Sequence, residues 1–111
     1  MKTFRFIKKI TQEEVDDIMC TALESGITYW CSKVYIKDKT NVEDTDWVHE
    51  VISKGGSLVL VDTDTGKKKI LTLKKFLKAL SKYDNFNYDD YDAIDADAIV
   101  QIAVFGEVIY S

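Results

Sequence analysis

Four apolar residues at helical spacing, framed by a start signal and a stop signal, constrain this chain more than anything else in it. Val15, Ile18, Met19 and Ala22 recur at i, i+3, i+4 and i+7 and so share one face of a helix. Thr11 and Glu14 precede them as a capping box, in which the hydroxyl accepts from the Glu14 amide and the carboxylate accepts from the Thr11 amide. Ile10 and Val15 occupy the hydrophobic-staple positions across that cap. Gly26 follows, where a helix stop usually needs a residue with positive φ. The spacing predicts a helix over 12–25, with an apolar stripe that must lie against other elements.

Those other elements alternate between strand and helix patterns. Phe4-Arg5-Phe6-Ile7-Lys8-Lys9-Ile10 alternates imperfectly and reads as a first strand. Residues 27–36 are rich in β-branched and aromatic side chains and read as a second strand, bent near Cys31-Ser32. After a polar loop over 37–44, Asp46 stands where it can cap a short helix through Trp47, Val48, Val51 and Ile52 to Gly55-Gly56. Leu58-Val59-Leu60-Val61, the turn Asp62-Thr63-Asp64-Thr65-Gly66 and Lys69-Ile70-Leu71 form a hairpin. Leu73, Phe76, Leu77 and Leu80 mark the stripe of a further helix, with Lys74, Lys75, Lys78 and Lys82 on its other faces. A long loop over 84–92 leads to Asp95, read as the cap of a helix over 96–105. That helix is apolar nearly all round and is therefore expected at the centre of the fold. Gly106 ends it, and Val108-Ile109-Tyr110 reads as a short last strand. This order predicts one α+β domain over 1–111, with a small mixed or antiparallel sheet packed against about four helices.

A chain of 111 residues with 46% apolar side chains can build a core without a disulfide or metal staple. The net charge of −4 disfavours nucleic-acid binding through the whole surface, which needs clustered Lys and Arg. Cys20 and Cys31 fall on different expected elements, and no apolar run is long enough to span a bilayer. Two reduced thiols in a cytoplasmic protein, with no membrane partner, are expected.

Motifs for chemistry are sparse. The one histidine, His49, has no Ser or Cys at a known spacing and reads as a surface or boundary residue. Three His and Cys side chains in total, widely spaced, argue against a zinc site. Asp62-Thr63-Asp64-Thr65-Gly66 carries its glycine one position early for a calcium loop and has no glutamate at the twelfth position. It also lacks the second copy that an aspartic-protease dyad would need, and a hairpin turn accounts for the same residues. Gly55-Gly56 lacks the Lys-Ser/Thr of a phosphate loop. The expectation is a protein without catalytic residues, metal or cofactor.

Charge is segregated along the chain. Seven lysines and no acids lie between Lys67 and Lys82, and after Lys82 every charged residue is acidic. Two solvated faces would account for this. The functional reading centres on Tyr83, Asp84, Phe86, Tyr88, Asp89, Asp90, Tyr91 and Asp92, where aromatic rings and carboxylates alternate. Such a surface would suit a basic partner, including a nucleic-acid-binding groove occupied by acidic mimicry. The same rings could instead fold back onto the core. Tyr29-Trp30 is either a core anchor or the wall of a pocket, and in the second case Glu24, Tyr29, Trp30 and Asp97 are its candidate residues.

Three blocks carry a resemblance. They are Asp16-Asp17-Ile18-Met19 running through Ala22-Leu23-Glu24-Ser25-Gly26-Ile27-Thr28-Tyr29-Trp30-Cys31; Ile52-Ser53-Lys54-Gly55-Gly56 with Leu71-Thr72-Leu73 and Phe76-Leu77; and Ile94-Asp95-Ala96-Asp97 with Phe105-Gly106-Glu107. Together they resemble a family of small proteins encoded by phages and prophages of Gram-positive bacteria. Ser25 departs from that pattern, since similar proteins often carry a second glycine there. The resemblance transfers no catalytic residue. It implies a phage accessory protein that works by binding, as an inhibitor of a host or antiviral-defence protein such as a CRISPR nuclease. The alternatives are a module that sequesters a small nucleotide signal, with Lys33 and the 67–82 lysines as its contacts, or a phage structural or regulatory subunit.

Overall fold

The computed structural model describes residues 2, 9–83 and 86–111. The strand expected over 4–10 lies outside the described residues except for Lys9 and Ile10, which are in no regular element.

Helix α1 (Gln12–Thr21) starts as its capping box dictates. The Thr11 amide donates to Glu14 Oε1 at 2.9 Å, and the Glu14 amide donates to Thr11 Oγ1 at 3.1 Å. Val15, Ile18 and Met19 are buried, and the helix runs on into one π-helical turn, Ala22–Gly26. The role expected of Gly26 differs from the one observed. Positive φ occurs at Gly55, Gly66 and Gly106 but not at Gly26. Gly26 is needed because of a close approach: a Cβ there would lie 2.8 Å from the Ala93 carbonyl oxygen and 3.3 Å from the Asp97 amide.

Residues 27–30 are a turn rather than the start of a strand. Their composition favours extended backbone, but the amides of Trp30 and Cys31 both donate to the Ile27 carbonyl, at 3.1 and 2.9 Å. The strand β1 (Cys31–Asp38) follows, with a register shift between Cys31 and Lys33 where the bend was expected. It pairs antiparallel with β2 (Ser57–Asp62), which pairs antiparallel with β3 (Lys68–Thr72). Leu58 sits between Ile36 and Leu71 on neighbouring strands, and both leucines are fully buried.

The helix expected over 47–52 is a single 3-10 turn, Val48–Glu50, so the described residues form three α-helices rather than about four. Asp46 does not cap it. Its carboxylate accepts from the Glu43 amide at 2.8 Å and pairs with Lys54 at 2.7 Å. Trp47 takes the cap position and stands 70% exposed.

Helix α2 (Leu73–Lys82) is capped by Thr72 and buries Phe76 and Ala79, while Leu77 is exposed. Helix α3 (Ala93–Phe105) begins one turn earlier than expected. Asp92, not Asp95, is the cap: it accepts from the amides of Ile94 and Asp95, while the Asp95 carboxylate accepts from the Asp92 amide. Two carboxylates three residues apart satisfy each other's backbone, so the first one ends the loop. The central position expected of this helix holds, since residues 96–101 are all buried. Gly106 closes it at φ 84, a left-handed conformation that suits glycine. No strand forms over 108–110; that segment is held by a side chain instead.

Candidate functional site: a buried carboxylate and an acidic ridge

The most polar part of the interior is built on α3. Asp97, 7% exposed, accepts from Trp30 Nε1 at 2.7 Å and Gln101 Nε2 at 2.9 Å through Oδ1, and from the Tyr29 hydroxyl at 2.5 Å through Oδ2. Gln101 lies one helical turn on and is fully buried. Its Oε1 accepts from the amides of Ile109 and Tyr110, each at 2.9 Å, and its Nε2 donates to the Tyr110 carbonyl at 3.0 Å. One glutamine side chain thus does for the tail what a neighbouring strand would have done. Tyr110 then stacks on Trp30 at 5.9 Å.

Between α3, the turn before β1 and this tail runs a groove of about 470 Å³. Tyr29, Ile94, Ala98 and Val108 give it an apolar wall, and Asp97 lies at its floor. Of the four candidate pocket residues, Tyr29 and Asp97 line the groove. Trp30, 2% exposed, is a core anchor behind it. Both readings of Tyr29-Trp30 are therefore realised, one by each ring. Glu24 is exposed and takes no part in the groove; it stands beside Cys20 instead. Burial and the Asp97 carboxylate push the Tyr29 hydroxyl up to about 12. Gln101 was not anticipated. The available signal was one amide in an apolar helix, spaced four residues from Asp97.

The 83–92 candidates divide by chemistry. Asp84 lies outside the described residues. The rings of Tyr83, Phe86, Tyr88 and Tyr91 are half-buried against the core and against one another, with centroid separations of 6.4, 5.5 and 5.7 Å along the row Tyr83, Phe86, Tyr91, Tyr88. Their hydroxyls are tied down as well. Tyr83 donates to Asp95 at 2.6 Å, Tyr88 donates to Asp17 on α1, and Tyr91 meets Thr21 at 3.4 Å. The carboxylates of Asp89, Asp90 and Asp92 stay exposed. Because Tyr88 and Tyr91 dock on α1, the loop acids stand beside the acids of that helix. The Tyr88 hydroxyl feels Glu14 as well as Asp17, and burial together with Glu24 and Asp17 pushes the Cys20 thiol up. Two acidic segments far apart in sequence thus form one ridge.

The lysines lie elsewhere. Lys33 and Lys68 flank the Tyr35 ring at 5.5 and 5.8 Å, and Lys74, Lys75, Lys78 and Lys82 are exposed on α2. Cys20 and Cys31 carry free thiols. Among the described residues, no cluster of three or more His, Cys, Asp or Glu could hold a metal ion, and no helix is long and apolar enough to cross a membrane.

No family model, curated protein or solved structure matches this chain. What the geometry offers chemically is therefore read from the chain itself: an anionic surface held by tyrosine docking, and a groove with a buried carboxylate at its floor.

Proposed function

We propose that this protein acts by stoichiometric binding, as a cytoplasmic inhibitor that covers a basic surface of a host or antiviral-defence protein. The observation that carries this reading is the docking of Tyr88 on Asp17, which ties the segment carrying the exposed Asp89 and Asp90 to the acidic helix α1. A row of carboxylates on a rigid support can occupy a groove built for phosphates without the ordering cost of a free loop. The resemblance to phage-encoded proteins read from the three sequence blocks would imply such a role.

The test is capture of partners from a Gram-positive host lysate with the wild type and with the triple variant Asp89→Asn, Asp90→Asn, Asp92→Asn. Asparagine keeps the cap of α3, so the fold is retained while the charge is removed. The reading expects a nucleic-acid-binding protein whose capture weakens at high salt and is lost in the triple variant. Undiminished capture and inhibition by the triple variant would remove the ridge from consideration.

A second reading, sequestration of a small nucleotide, draws on Lys33 and Lys68 beside Tyr35, where a ring could stack on a base and ammonium groups could meet phosphate. Co-purifying nucleotides found by mass spectrometry, and lost in Tyr35→Ala, would favour it over the first.

A further inference from the structure

The groove beside α3 combines two properties that the acidic ridge does not use. Its wall is apolar and open to solvent, with Tyr29 51%, Ile94 74% and Val108 47% exposed. Its floor is the buried Asp97 carboxylate, whose hydrogen-bond donors among the described residues are all neutral. Trp30, Gln101 and Tyr29 satisfy the directions of three hydrogen bonds to Asp97, but none of them carries a positive charge. The ion pair of Lys54 with Asp46 lies far along the chain from this site.

A carboxylate has roughly four lone-pair sites, so three donors leave room for one more. Among the described residues Oδ1 receives two of these bonds and Oδ2 one, from the Tyr29 hydroxyl, so Oδ2 is the oxygen that can accept a further donor. A donor arriving there with a positive charge would gain more than one arriving at an exposed carboxylate, because Asp97 is buried and its side chain is already oriented. The volume of about 470 Å³ is that of a small-molecule site rather than a water-sized defect.

We infer that this groove binds a small organic cation: a primary ammonium, which meets Asp97 Oδ2, carried on an apolar body that lies against Tyr29, Ile94, Ala98 and Val108. The inference is independent of the acidic ridge and stands or falls by itself. The tail contributes Val108 and Tyr110 to the walls, so Gln101 acts as a positioning residue that holds the groove closed on that side.

The experiment titrates the full chain, labelled with nitrogen-15, with phenethylamine and with its neutral counterpart 2-phenylethanol near neutral pH. The expected result is a saturable shift of the Ala93, Ile94, Ala98 and Val108 amides by the amine, with the alcohol binding roughly tenfold more weakly or worse, the worth of a charge-assisted contact. Asp97→Asn should bring the amine down to the level of the alcohol. Ala98→Leu, which fills the groove and leaves the carboxylate in place, should abolish both. Equal binding of amine and alcohol by the wild type, or no saturable shift at the groove amides, would overturn the assignment. If Asp97→Asn fails to fold, the wild-type comparison and Ala98→Leu decide the matter alone.

Discussion

The Tyr110 hydroxyl lies 2.9 and 2.7 Å from the two carboxylate oxygens of Asp62, joining the tail to the hairpin turn. The pairing recurs. Tyr29 donates to Asp97, Tyr83 to Asp95 and Tyr88 to Asp17, so four phenols each hold an aspartate on another part of the chain. An aspartate accepts such a bond only when ionised or suitably turned, and a phenol donates only when neutral, so these contacts link the fold to pH from both sides.

On the alkaline side, Tyr29 and Tyr110 are pushed up to about 12, chiefly by burial for the first and by the bond to Asp62 for the second. The bond to Asp95 does the same for Tyr83, and the bond to Asp17 shifts Tyr88 upward too. An unfolded tyrosine ionises near ~10. The neutral phenol is favoured in the folded state, so the stabilisation is complete below about pH 10 and is lost as pH rises from there towards about 12. Melting temperature should begin to fall near pH ~10, with phenolate absorbance rising in step with unfolding. Tyr110→Phe should flatten part of that slope.

On the acid side, burial pushes Asp62 up, but the Tyr110 hydroxyl and the backbone of Asp64 and Thr65 outweigh it and hold the carboxyl below the usual range. Asp95 is held low by Tyr83. Their stabilisation is present above the unfolded value of about 4 and disappears as pH falls below it, through the depressed folded values. Denaturant midpoints measured down the acid range should drop for the wild type and drop less steeply for Asp62→Asn, which starts less stable.

Gly26→Ala tests the crossing of the α1 extension and α3. The added methyl would meet backbone oxygen at 2.8 Å, which no rotamer change can relieve. A loss of about 1–3 kcal/mol is expected, measured by chemical denaturation, as for other overpacked interior positions.

Gln101→Leu keeps the volume and removes the three bonds from this side chain to the tail backbone. The amides of Ile109 and Tyr110 lose their acceptor, at about 1–3 kcal/mol for each group that stays buried, so the tail should detach to reach water. Hydrogen exchange at those two amides should accelerate, and Trp30, no longer covered by Tyr110, should shift its fluorescence to the red.

Local signals were readable in the sequence wherever a contact spans only a few residues. The Thr11 and Glu14 box, the α2 stripe except for the exposed Leu77, and the Gly106 stop appear where the pattern puts them. The pattern misleads where distant partners decide. Val108-Ile109-Tyr110 has strand composition but is bonded by a glutamine, and residues 27–30 have strand composition but turn on the Ile27 carbonyl. Asp95 loses the cap to Asp92 because either acid fits the local rule. For the candidate site, the Tyr29 and Trp30 side chains both donate to Asp97, while the position of Glu24 and the role of Gln101 depend on which way a helix is rolled against its neighbours.

The contact between Gly26 and Ala93 also bears on the order in which the molecule can assemble. The two sheet pairings join neighbouring stretches of chain and close short loops, so they can form early. The apolar stripe of α1 gains its full cover only when a helix some seventy positions later, by the numbering of Gly26 and Ala93, has been brought against it. Closing that long loop is the step that should set the folding rate, and residues lining the crossing should show the highest φ-values in a kinetic series.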